Sequence, residues 1–262
     1  MSSKQVIEGI EVRVEGKGPR TLVMIHGWPD TAALWEPQVQ AFRDEWRCVR
    51  FTLPGFDRAH PRRVYPIDEI VAAIHKIVAT ISPEQPVTLL LHDWGCVFGY
   101  RFVSAHPEQV AALIALDVGD AGSREHLASL GLNAKLAVAT YQLWLALAWH
   151  LPTALGDWMT RKMAGWLRAP GAPASMGSHM NYPYHVQWTR GYRSRPPFQP
   201  SAPMLFVFGQ RKPFMFHSHA WAQALATQPQ CAVESLRCGH WVSRAQEFNG
   251  LALNWLRGLP VR

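Results

Sequence analysis

One pattern constrains the fold of this chain more than any other. Short, almost continuously apolar runs rich in leucine and β-branched residues alternate with stretches of helical character. The runs are Thr21 to His26, Cys48 to Leu53, Val87 to Asp93, Ala112 to Val118, Met204 to Gly209 and Cys231 to Leu236; the helical stretches fall at about 31–43, 67–81, 95–106, 218–227 and 243–257. Runs that are apolar throughout, not at every second residue, fit strands buried on both faces, and their alternation with helices predicts a mostly parallel α/β sheet flanked by helices. Residues 5–14 alternate as an antiparallel edge hairpin would. The rhythm stops between 119 and 203, where Gly and Pro punctuate helical segments. This predicts a core of 1–118 and 204–262 interrupted by a helical lid at 119–203.

Composition narrows the function classes. The 262 residues are 48% hydrophobic and only 17% charged, which excludes disorder and permits a large core. The net charge of +7 contains no Lys/Arg run, so a nucleic-acid partner is not expected. The charge is concentrated: residues 121–200 hold eight basic and two acidic residues, the remainder 18 and 17. Such a basic lid, carrying five of the 12 tryptophans, reads as a solubilising face, or as a weak contact with an anionic amphiphile or membrane surface. Leu136 to Leu151 is too short to span a bilayer and reads as a buried or interfacial helix. The amino-terminal stretch lacks the apolar segment of a signal peptide, and Cys48, Cys96, Cys231 and Cys238 have no CxxC spacing; both fit a cytoplasmic protein with reduced thiols. His217 and His219 lack a third ligand at compatible spacing and read as surface residues at a helix start, not a metal site.

The sharpest local signal is the apolar run Val87 to Leu91 followed by His92-Asp93-Trp94-Gly95 and a helix. A side chain on such a strand-to-helix turn is held over the sheet's carboxyl edge, with the helix's first amides beneath it, where a nucleophile belongs. Aspartate is also a common helix N-cap, so the position alone is ambiguous. Three further motifs stand at strand ends: His26-Gly27-Trp28-Pro29-Asp30, Leu53-Pro54-Gly55-Phe56 and Gly239-His240-Trp241. In this order, over nearly the whole chain, they resemble the α/β-hydrolase family, in the branch of epoxide hydrolases and haloalkane dehalogenases. The resemblance implies an aspartate nucleophile at Asp93, an oxyanion loop at His26 and Trp28, and a catalytic histidine at His240. A carboxylate attacking an alkyl carbon leaves an ester that water can break, whereas a serine would leave an inert ether. His240 would activate that water, and the backbone amides of Trp28 and Trp94 would hold the oxyanion, with no cofactor required.

The chain departs from the family pattern in informative places. Asp57 stands where PGxG has its last glycine. After Gly209, where most members carry the triad acid, the sequence reads Gln210-Arg211-Lys212, and a lysine cannot orient an imidazolium. One dehalogenase branch takes its acid from the end of the strand after the elbow helix, where this chain has Asp117, with Asp120 as the fallback. If neither serves, a non-catalytic binding protein on the same fold is the alternative. Trp28 resembles the epoxide hydrolases, whereas Leu91 before the elbow is more dehalogenase-like. Epoxide opening needs an acid for the ring oxygen, usually supplied in this family by lid tyrosines; Tyr141, Tyr182 and Tyr184 are the candidates. The lid tryptophans and Trp28, Trp94 and Trp241 imply a dry aromatic pocket for a small apolar or amphiphilic substrate. Epoxide hydrolysis is the first expectation and dehalogenation the second.

Overall fold

The computed structural model describes residues 2–189 and 197–259. In chain order it contains β1 (Ser2–Ile7), β2 (Ile10–Glu15), β3 (Arg20–Ile25), α1 (Glu36–Phe42), β4 (Trp46–Phe51), α2 (Ile67–Ile81), β5 (Val87–His92), α3 (Trp94–Ala105) and β6 (Val110–Leu116). The segment between β6 and β7 (Met204–Gly209) carries α4 (Arg124–Ser129), α5 (Leu132–His150), α6 (Thr153–Trp166) and α7 (Tyr182–Thr189). After β7 come α8 (His219–Ala226), β8 (Ala232–Leu236) and α9 (Phe248–Gly258).

The strands form one eight-stranded sheet in the order β1-β2-β4-β3-β5-β6-β7-β8. Only β1 and β2 run antiparallel to their neighbours; β3 to β8 are parallel. The expected hairpin exists but starts at Ser2, and only β1 is an edge, because β2 also pairs with β4. Continuous apolarity in the central strands has the expected cause. In β3, Leu22 and Met24 face the layer of α1 and α9, while Val23 and Ile25 face the layer of α2 and α3. Leu90 and the pair Leu89 and Leu91 divide in the same way in β5. Each such side chain contributes roughly 1.5–3 kcal/mol through burial.

Local sequence explains the helices that matter for the site. In α2, Ile67, Ile70, Val71, Ile74, Ile77, Val78 and Ile81 are buried at helical spacing, and Asp68 and Glu69 sit in the first turn, where the helix dipole favours them. The 31–43 stretch divides into a 3-10 turn at Ala32–Trp35 and then α1. The last helix starts at Phe248, later than the expected 243, because Ala245 turns extended after a 3-10 turn at Val242–Arg244.

The chain crosses from one side of the sheet to the other between β3 and β5, so a crevice opens at their carboxyl ends, where ligands bind in such sheets. The first turn of α3 sits directly against the end of β3. A Cβ on Gly95 would lie 2.2 Å from the Ile25 carbonyl oxygen, and backbone cannot yield there. Gly95→Ala is therefore expected to lower the unfolding free energy by about 3 kcal/mol or more. Gly250, inside α9 with open space around its missing Cβ, should gain about 0.5–1 kcal/mol as Gly250→Ala. Urea unfolding of the two variants tests the contrast.

Candidate active site

Asp93 is the junction between β5 and α3. Its backbone is left-handed, with φ 53° and ψ −123°, a conformation costing a non-glycine residue about 1–3 kcal/mol. Its side chain makes no capping bond to α3, so the N-cap role does not apply. Instead the Trp28 amide donates to Oδ1 at 2.7 Å. Burial would raise the carboxyl pKa, but His240, with help from the nearby Trp94 amide, holds it below its ordinary value. Glycine at 27 is required by the same approach: a Cβ there would lie 2.4 Å from Asp93 Oδ1. Oδ2 faces His240 Nε2 at 3.4 Å.

His240 follows β8, and its Nδ1 lies 2.5 Å from Oδ2 of Asp117. Asp117 follows β6, is fully buried and has a left-handed φ of 71°. Its Oδ1 accepts from the Gly209 amide at 3.0 Å and from the Lys212 ammonium, which ion-pairs with it. Burial alone would raise the Asp117 pKa, but the Lys212 charge and the bonds from His240 and Lys212 bring it down to about 2. Burial likewise opposes a charged His240, yet its bonds to Asp117 and Asp93 raise its pKa to about 9. Four alternating charges thus run Asp93, His240, Asp117, Lys212. The fallback Asp120 is occupied elsewhere: it accepts from the Ser218 amide at 2.6 Å and hydroxyl at 2.7 Å, and from the Ser123 hydroxyl at 2.7 Å.

Two further histidines serve the backbone. Burial lowers the pKa of His26 and of His92 to about 4, so both are neutral. His26 accepts the Leu53 amide on Nε2 at 3.0 Å and donates from Nδ1 to the Gly27 carbonyl, tying the ends of β3 and β4 together. It does not line the cavity described below. His92 Nε2 donates to the His240 carbonyl at 3.1 Å and fixes the loop that carries His240.

Asp93 opens into a cavity of about 790 Å³ between the sheet edge and the helical insertion. Tyr141 from α5 and Tyr184 from α7 line it, their rings 6.0 Å apart, and burial raises the pKa of both phenols. The Trp94 side chain bonds the Tyr184 hydroxyl. Tyr182, two residues earlier in the same turn, points the other way. Its hydroxyl donates to the Pro54 carbonyl at 3.2 Å, its ring packs on Phe56 and Tyr65, and it is not among the cavity's lining residues. The Trp28 indole is held by Asn181 Oδ1 at 2.8 Å.

Other expectations need revision. Trp158 and Trp166 are 50% and 75% exposed and do not line the cavity, so part of the insertion's aromatic surface faces outward, whereas Trp188, 47% exposed, lines the cavity. His217 is buried against Phe206 and Phe208, not on the surface. Asp57 in the glycine position closes a local turn by accepting the Ala59 and His60 amides. Among the described residues, no group of three or more His, Cys, Asp or Glu could hold a metal.

Sequence reasoning missed three residues around the site. Lys212 reads in the sequence only as a missing acid, because its pairing with Asp117 depends on β6 and β7 being neighbours. Asn181 lies in the Asn-Tyr-Pro-Tyr segment that had suggested the tyrosines. Asp30, buried and bonded to the Trp241 indole at 2.8 Å, has a pKa raised to about 7, chiefly by burial.

The sequence profile of the α/β hydrolase fold matches residues 20–243, and the chain belongs to that family. It is 30% identical over 105 residues to epoxide hydrolase 1 of Caenorhabditis elegans, a match covering 39% of this chain and 26% of that protein. It is 29% identical over 118 residues to a cis-3-alkyl-4-alkyloxetan-2-one decarboxylase of Xanthomonas campestris, covering 40% and 39%. The matches thus span well under half of these relatives' own lengths. Among solved structures, an epoxide hydrolase of Bacillus megaterium bound to an inhibitor superposes with a TM-score of 0.73 at 21% identity, covering 97% of this chain and all of that one.

Two outcomes follow from the charge row. A His240 pKa of about 9 in the folded state, above the unfolded value near 6.5, stabilises the fold fully below pH 6.5, and this contribution is lost as pH rises through about 9. Unfolding free energy measured across that window should fall, and His240→Gln should remove up to about 3 kcal/mol of the fall. Lys212→Met leaves Asp117 free to hold the His240 proton more tightly. Where breakdown of the ester limits turnover, the acidic limb of the kcat profile should move to higher pH by about one unit, with Lys212→Arg restoring it.

Proposed function

We propose that the protein is a hydrolase that opens epoxides through an ester on Asp93. The observation that carries this reading is the shared cavity: a carboxylate with Oδ1 on the Trp28 amide and Oδ2 toward His240 faces two buried phenols. Asp93 Oδ2 attacks a ring carbon and the carbon–oxygen bond breaks. The released oxygen takes a proton from Tyr141 or Tyr184, leaving a hydroxyalkyl ester and a phenolate.

Esterification removes the Asp93 charge, and His240 then binds its proton less tightly and releases it, through solvent, to restore the phenol. Once neutral, it takes a proton from water as the water attacks the ester carbonyl. The amides of Trp28 and Trp94 hold the oxyanion at Oδ1, and collapse releases the diol and the Asp93 carboxylate. The proton taken by His240 replaces the one it released to the phenol. One water is consumed per epoxide, and no cofactor enters the balance.

Halide release is the weaker reading on a specific ground. It needs indole or amide N–H groups free to receive the leaving anion. Here the Trp28 indole is bonded to Asn181, and the Trp94 side chain is engaged by Tyr184. A binding protein without catalysis loses its motive, because Lys212 completes the charge row through Asp117 and does not leave His240 without an acid.

His240→Gln incubated with epoxide and haloalkane panels is expected to accumulate an adduct of the full epoxide mass on the peptide containing Asp93, with turnover reduced about 10²–10⁴-fold. An adduct of alkyl mass from haloalkanes alone would make the enzyme a dehalogenase, and no adduct on Asp93 would overturn the nucleophile assignment. Tyr184→Phe should slow epoxide opening about 10-fold or more.

A further inference from the structure

The helical insertion exposes apolar side chains where a water-facing helix carries polar ones. Ten of the eleven large hydrophobic side chains exposed among the described residues lie between Leu127 and Trp188. On α5, Leu132, Leu136, Leu143 and Leu147 recur at four-, seven- and four-residue steps, which places them within about 60° of one another around the helix. They are 48–72% exposed and stand opposite the buried face of Leu145 and Ala148. On α6, Leu155, Trp158 and Trp166 share the outer face with Lys162, whose ammonium lies 6.0 Å from the Trp158 ring centre.

The exposed charge on the insertion is predominantly basic, with Glu125 on α4 its exposed acid. Arg124, Lys135, Arg161, Lys162 and Arg168 are exposed on the insertion, and of its two acids Asp157 is buried against Arg58. Arg190, Arg193 and Arg195 add charge to the sequence but lie outside the described residues. A second copy of the chain would set this basic surface against itself. An anionic bilayer matches both properties: apolar side chains and indoles enter the headgroup boundary while the basic side chains meet lipid phosphates. No described helix is long and apolar enough to cross a membrane, so contact would be in the interface plane. The cavity also reaches this surface, since exposed Leu127, Lys135 and Trp188 line it.

We infer that the outer faces of α5 and α6 form a docking surface for an anionic lipid bilayer. The surface stands apart from the chemistry at Asp93, and its test uses no turnover. Flotation of the full chain with vesicles of phosphatidylcholine alone, or of phosphatidylcholine with a quarter phosphatidylglycerol, measures it. Retention is expected on the anionic vesicles, weak on the neutral ones, and falling as salt rises from about 0.05 to 0.5 M. The double variant L143E/W166E should bind at least tenfold less, and K162E/R168E should lose the preference for phosphatidylglycerol. Urea unfolding at the wild-type midpoint shows that each variant is folded. Absence of wild-type retention at low salt, or equal retention of wild type and both variants, would overturn the proposal. So would a wild-type dimer by sedimentation that L143E/W166E dissociates, because the face would then bind its own copy.

Discussion

Burying two carboxylates side by side without unfolding the sheet edge is the constraint on which the site depends. An isolated buried charge costs several kcal/mol even after relaxation, and breaking one partner of a buried pair costs about 3–5 kcal/mol. Here the cost is offset by alternation. Asp93 and Asp117 are separated by His240, and Lys212 closes the row on the far side, so protonated His240 leaves the four groups neutral together. Loss of the Asp93 charge on esterification would leave this row with an excess of one positive charge. The proton that leaves most readily is then the one on His240, which is what the second half-reaction needs. Lys212 strengthens that bias by taking part of the Asp117 charge that would otherwise hold the imidazolium.

The backbone that holds this row is built from close approaches. Gly27 lets the end of β3 touch the Asp93 carboxylate, and Gly95 lets α3 begin against the Ile25 and His26 carbonyls. Neutral His26 then ties the ends of β3 and β4 together, and neutral His92 ties the end of β5 to the loop after β8, both through backbone bonds. The left-handed turns at Asp93 and Asp117 are conformations that neither residue adopts without cost, and they persist because these contacts over-determine them.

How far all this was legible in the sequence depends on the range of the interaction. The HDWG, HGWPD and GHW segments each carry their geometry within a few residues, and their order placed them at the sheet edge. Asp117 could be proposed because it also ends a strand. The role of Lys212 could not, because it depends on β6 and β7 being neighbours, and the pairing of strands remote in the chain is not written locally. The phenols were ambiguous for a related reason. Tyr182 and Tyr184 are two residues apart on a helix and face different ways, so only the packed structure separates the one that meets Pro54 from the one that meets Trp94. Counting tryptophans suggested a dry pocket, but a count does not say which way an indole points.

That misreading bears on the charge of the chain. In the sequence the basic charge and five tryptophans already share the insertion, but nothing there says which way either points. In the fold they fall on the same outer faces, with Lys162 beside Trp158 on α6 and an unpartnered leucine row on α5. A surface serving solubility alone has no use for exposed leucine, and an aromatic pocket alone has no use for exposed lysine. The sheet, nearly neutral outside residues 121–200, contributes the buried charge row and little to the net charge. The insertion contributes both the phenols that face Asp93 and the basic, apolar surface that faces away. Its two sides therefore answer to different surroundings: the inner side to the cavity that holds Asp93 and the phenols, the outer side to an environment that accepts cations and hydrocarbon together.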